Sequence, residues 1–114
     1  MAKLEWTFSD ASVGFEALLH RIENGILNGS VSASLEEESD FVDGDSRCSI
    51  RVFERYSYVG GNRLSLNVVL FQGPSGAIRL SASSTGGSAA MFFKMNTFGE
   101  EAFLEKLQEI LPEN

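Results

Sequence analysis

Between Ser30 and Ser84 the chain alternates apolar and polar residues in four successive stretches: Ser30 to Val42, Ser46 to Val59, Arg63 to Gln72 and Ala77 to Ser84. Residues two apart on an extended chain share a face, so each stretch predicts a strand with one buried side. The separators carry turn residues: Asp43-Gly44, Gly60-Gly61-Asn62 and Gly73-Pro74-Ser75-Gly76. Connections this short join neighbouring antiparallel strands and predict a meander.

The flanks have different periods. "KLEWTF" alternates, with Leu4, Trp6 and Phe8 on one side, and predicts a further strand. Ser9 and Asp10 offer N-cap oxygens. Phe15, Leu18, Leu19, Ile22 and Ile26 then recur at helical spacing, predicting a helix to about Leu27. Asn28-Gly29 suits its C-cap, with Gly25 as a rival stop. At the other end Thr97 and Glu100 fit a capping box. Phe103, Leu107, Ile110 and Leu111 form one apolar stripe that Pro112 ends. Ala89 to Met95 reads as a last strand or an irregular buried segment. The expected fold is α+β, a single domain over 1–114. It is an antiparallel meander of five to six strands with two helices on one face, in the order β-α-β-β-β-β-(β)-α.

Spacing two assigns the inner face to Val31, Ala33 and Leu35; Cys48, Ile50 and Val52; Leu64, Leu66, Val68 and Leu70; and Ile78, Leu80 and Ala82. The outer face would then hold Arg47, Arg51, Phe53, Arg55, Arg63, Val69, Phe71 and Arg79. The Asp43-Gly44 turn would pair Val42 with Asp45 and set Asp40 opposite Arg47 and Glu36 opposite Arg51, which is ordinary cross-strand ion pairing. A three-residue loop, Gly60-Gly61-Asn62, keeps the apolar residues of the third and fourth strands together. A one-residue slip would turn Arg55 inward.

Little in the chain points to chemistry. A formal net charge of −7 opposes nucleic acid and anionic membranes as partners. The glycines near Gly86 are followed by an apolar segment and no Gly-Lys-Ser/Thr, so they read as a turn and not a phosphate loop. With one His and one Cys, a zinc site of the usual ligands is not expected. The acidic run "EEESDFVDGD" reads as a solvated strand edge, since a calcium loop would need flanking helices. His20 reads as a surface residue and Cys48 as a small core residue. Neither a cofactor nor a metal is expected. The first ten residues lack an apolar signal segment, no run approaches a membrane span, and a lone cysteine suits a reducing compartment. A cytoplasmic location is therefore expected.

The segments "NGILNGSVSASLEEESDF", "VFERYSYVGGNRLSLNV" and "MFFKMNTFGEEAFL" resemble a family of small bacterial proteins of unknown function. That resemblance implies a small single-domain protein and brings no established activity or site residues. Two functional expectations follow from the residues themselves. In the first, Arg51, Phe53, Arg55, Arg63, Val69, Phe71 and Arg79 form a partner-binding outer sheet face, for a homodimer or another protein. In the second, the order of elements resembles the helix-grip ligand-binding folds. A small apolar ligand would then sit between the sheet and the last helix, although large inward residues leave little volume for it.

Overall fold

The computed structural model describes residues 2–9, 14–57, 61–86 and 103–112. Five strands form one antiparallel sheet: β1 (Ala2–Phe8), β2 (Ser34–Asp43), β3 (Ser46–Ser57), β4 (Asn62–Gln72) and β5 (Ile78–Gly86). The helix α1 (Phe15–Asn28) joins β1 to β2, and a second helix, α2, is described over 103–110. The spatial order is β1-β5-β4-β3-β2. The chain therefore starts at one edge of the sheet, crosses beneath it through α1, and returns from the far edge by hairpins.

One core holds both helices against one face. Phe15, Leu18, Leu19, Ile22 and Ile26 of α1 meet the inward residues of the strands, as do Phe103 and Leu107 of α2. Leu64, Leu66, Val68 and Leu70 of β4 and Ile78, Leu80 and Ala82 of β5 are buried as their spacing predicts. Both strands are purely apolar on that parity from Leu64 to Leu70 and from Ile78 to Ala82, so only one assignment hides them.

Strand β3 is turned over relative to the expectation. Arg51 pairs with Val68, Phe53 with Leu66 and Arg55 with Leu64. Phe53 is 0% exposed and Arg51 5%, whereas Cys48, Ile50 and Val52 lie on the opposite, outer face. The register follows from the connection. Ser57 pairs with Asn62, so four residues link the strands, Asn62 belongs to β4, and the expected three-residue loop does not set the pairing. The expectation had followed the number of apolar residues on each parity. The structure instead buries Phe53, leaves Tyr56 exposed, and finds partners for the arginines that share the Phe53 side.

Smaller corrections have local causes. Helix α1 begins after Gly14, which makes no side-chain cap, and not after Ser9 or Asp10. Gly29 caps it with φ −80°, outside the left-handed region, its N–H donating to the Ile26 carbonyl. Strand β2 starts at Ser34, so Val31 and Ala33 lie before it, and Val31 is fully exposed. Gly44 and Asp45 are the two corner residues of the β2–β3 turn, and Asp43 pairs with Ser46. Positive φ falls on Gly44 alone of the two (+58°), the pattern of a type II′ turn. This register puts Ser49 rather than Arg47 opposite Asp40 and Glu38 rather than Glu36 opposite Arg51; further along, Glu36 is an extra residue between the Leu35 and Glu37 pairs. The possible strand at 89–95 and the capping box of Thr97 and Glu100 lie outside the described residues.

Candidate functional site

The three arginines of β3 tie the sheet to the helices. The Arg51 guanidinium donates from Nε to a Glu23 carboxylate oxygen at 2.9 Å and lies 3.0 Å from Asp40 Oδ1. Nη1 also donates to the Ser39 and Ile50 carbonyls, and Nη2 to Asp40 Oδ2. Burial works to lower the Arg51 pKa, but the bonds to Glu23 and Asp40 raise it on balance. Asp40 also accepts from Ser49 Oγ at 2.6 Å; that bond, with Arg51, holds its carboxyl below the usual value of 3.8. Arg47 pairs with Glu16 and stacks 4.3 Å over the Phe15 ring. Arg55 stacks 4.4 Å over the Phe103 ring of α2, and burial lowers its pKa. The arginine stems thus fill space beneath the helices; carboxylates match the charges of Arg47 and Arg51, and that of Arg55 faces the Phe103 ring. Ion pairing of Arg47 and Arg51 was expected, but their carboxylate partners include Glu16 and Glu23 of α1.

A signal for this arrangement exists in the sequence. Glu16 and Glu23 lie seven residues apart on α1, about 10 Å, and Arg47 and Arg51 lie four apart on β3, about 13 Å. Two acids on a helix flank and two bases on a strand, at similar spans, suit apposition across the helix–sheet interface.

With β3 reversed, the residues expected on one outer face divide. Arg51, Phe53 and Arg55 belong to the helix-covered side. Arg63, Val69, Phe71 and Arg79 remain outside, and the sequence reading missed Phe41, Cys48 and Ile50 beside them. Pairing aligns the outer residues in rows across the sheet. One row runs Phe41, Cys48, Phe71, Arg79 and Thr7; the next runs Ser39, Ile50, Val69, Ser81 and Glu5. Phe41 is 61% and Phe71 41% exposed. Together with Cys48, Ile50 and Val69 they make one apolar patch over β2, β3 and β4. Beyond it the face turns polar: Arg63 pairs with Glu54 at 3.1 Å. A hollow of about 220 Å³ lies beside Phe71, lined also by Val69, Arg79, Leu80 and Ser81.

The inner side offers a contrast. Phe53, Leu64, Leu66, Phe103 and Leu107 are each at most 1% exposed and fill the space between sheet and α2 in which a carried ligand would sit. His20 is exposed on α1. Among the described residues, no helix is long and apolar enough to cross a membrane.

An α+β domain with one sheet face closed by helices and the other partly apolar in the open is the class of protein these observations define. Residues 1–113 match the model of a family of unknown function, DUF6054, and the chain belongs to that family. Among curated proteins no sequence matches it.

Proposed function

We propose that this protein is a non-enzymatic assembly module of a reducing, cytoplasmic compartment, and that it docks another protein surface on the outer face of its sheet. The observation that carries the reading is the apolar patch of Phe41, Cys48, Ile50, Val69 and Phe71, contiguous across three strands on the side away from both described helices. Scattered exposed apolar residues are normal on a soluble protein, whereas a contiguous patch rimmed by polar residues marks an interaction site. The aromatic content and the polar surround of Arg63, Glu54 and Arg79 match the anatomy of protein interfaces.

The test is position-specific. A photo-crosslinking phenylalanine analogue replacing Phe71 is expected to give a discrete protein adduct on irradiation in the producing cells. The same analogue replacing His20, exposed on α1, is expected to give none. Equal yields from the two positions, or none from Phe71, would refute the docking face.

A further inference from the structure

Resting on the docking face proposed above, we infer that its occupant is a second copy of this chain, joined face to face about a two-fold axis running along the seam between β3 and β4. The face is self-complementary about that line. On the β2 side it presents a projection, Phe41. In the same cross-strand row on the β5 side it presents the hollow beside Phe71, bounded by Arg79. An axis lying in the interface along the β3–β4 seam exchanges β2 with β5 and leaves position along the strands unchanged. Each Phe41 is thereby carried over the hollow of the other copy, its ring against the Arg79 guanidinium, and each Cys48 lies opposite a Phe71. This is an isologous contact and closes on itself as a dimer. Two sheets facing each other in this way pack about 10 Å apart with strands inclined by about 30°.

Charge points to the same occupant. By strand alternation, Asp43 and Glu37 share the outer side of β2 with Phe41. The Arg79 side chain on β5 makes no hydrogen bond or ion pair among the described residues; its charge contributes only weakly to lowering the Glu5 carboxyl, which Lys3 holds at 2.8 Å. Within one copy Asp43 and Arg79 stand three strand spacings apart, about 14 Å across the sheet, and two residues apart along it, too far to pair. The two-fold arrangement instead brings the acidic β2 edge of each copy over β5 of the other, with Asp43 one outward row from the Arg79 of the second copy, so unlike charges meet twice. An unrelated partner would have no reason to match the spacing between projection and hollow on this one face.

A charge exchange separates a contact between copies from any effect within a copy. Sedimentation equilibrium on the full chain is expected to show a dimer at high micromolar concentration. Arg79→Glu and Phe41→Asp, both at exposed positions, are each expected to raise the dissociation constant by about tenfold or more. Asp43→Arg alone is expected to weaken the dimer, and Asp43→Arg combined with Arg79→Glu to restore much of the loss. A monomer at all concentrations overturns the proposal. So does a dimer that these substitutions leave unchanged, because it must then use another surface. If the wild type is monomeric while the analogue at Phe71 still gives an adduct with a different protein, the self-association fails and the docking face stands. If the analogue gives no adduct at all, the docking face itself fails.

Discussion

Phe53 and Phe71 show how much a side chain's meaning depends on which way its strand faces. Both are phenylalanines on adjacent central strands. Phe53 is wholly buried opposite Leu66, and Phe71 stands outside opposite Cys48. Removing a buried Phe costs about 3–5 kcal/mol, and a carboxylate in its place adds the penalty of an unpaired buried charge. That sum approaches the whole stability of a domain this size, about 5–15 kcal/mol. Phe53→Glu is therefore expected to abolish the cooperative thermal transition, whereas Phe71→Glu keeps the native circular dichroism spectrum and melts cooperatively. A folded Phe53→Glu protein would show that β3 faces the other way. Arg51 illustrates the same dependence. Its guanidinium is buried, and the carboxylates of Glu23 and Asp40 make that burial tolerable.

Among elements, α1 and α2 approach each other closely at Gly25. Gly25 lies within α1 where a glycine costs about 1 kcal/mol relative to alanine. Its reason is steric: a Cβ there would lie 2.5 Å from both Cγ1 and Cδ1 of Ile110 and 2.7 Å from Cγ2. Three atoms of a branched side chain are in the way, so no single torsion clears the site. At Gly29, one turn later, a Cβ would meet only the flexible end of Lys106 and the helix's own carbonyls, a milder constraint. One turn before Gly25, Arg21 of α1 donates to the Ile110 carbonyl, satisfying an acceptor at the carboxyl end of α2. Overpacking costs about 1–3 kcal/mol and outweighs the propensity gain. Gly25→Ala is accordingly expected to lower stability in urea denaturation, and Ile110→Ala in the same chain to remove most of that sensitivity. A stabilised Gly25→Ala protein would mean that the helices do not meet at this point. The edge strand β2 is managed differently. Its acids and the bulge at Glu36 oppose the strand-by-strand pairing that a long bare edge invites.

For the whole molecule, the sheet divides two kinds of stabilisation. One face is closed within the chain by α1 and α2 and does not depend on concentration. The other would be closed only by association, which stabilises the native state by mass action. The melting temperature of the wild-type protein is thus expected to rise with protein concentration, and that of Phe41→Asp to stay constant across the same range. Equal behaviour of the two proteins in differential scanning calorimetry would show that the outer face adds nothing to stability through self-association.

The amino-acid sequence by itself determined the elements, their order and most of the inner face. Helix α1 and strands β4 and β5 each carry apolar residues at one period and one parity, so local spacing leaves a single way to bury them. Only the tertiary structure decided the facing of β3. That strand has apolar residues on both parities, Cys48, Ile50 and Val52 against Phe53, and spacing cannot rank them. The choice depends on a four-residue connection to β4 and on carboxylates and rings supplied by helices distant in sequence: Glu16, Glu23, Phe15 and Phe103. Strand β1 is the same kind of case. Its alternation is plain, but its place beside β5 rests on pairs far apart in sequence, from Phe8 with Ile78 to Ala2 with Ser84. The outer apolar face inherits this division: Val69, Phe71 and Arg79 were legible from their own strands, and Phe41, Cys48 and Ile50 joined them only once the register of β3 was set by its neighbours.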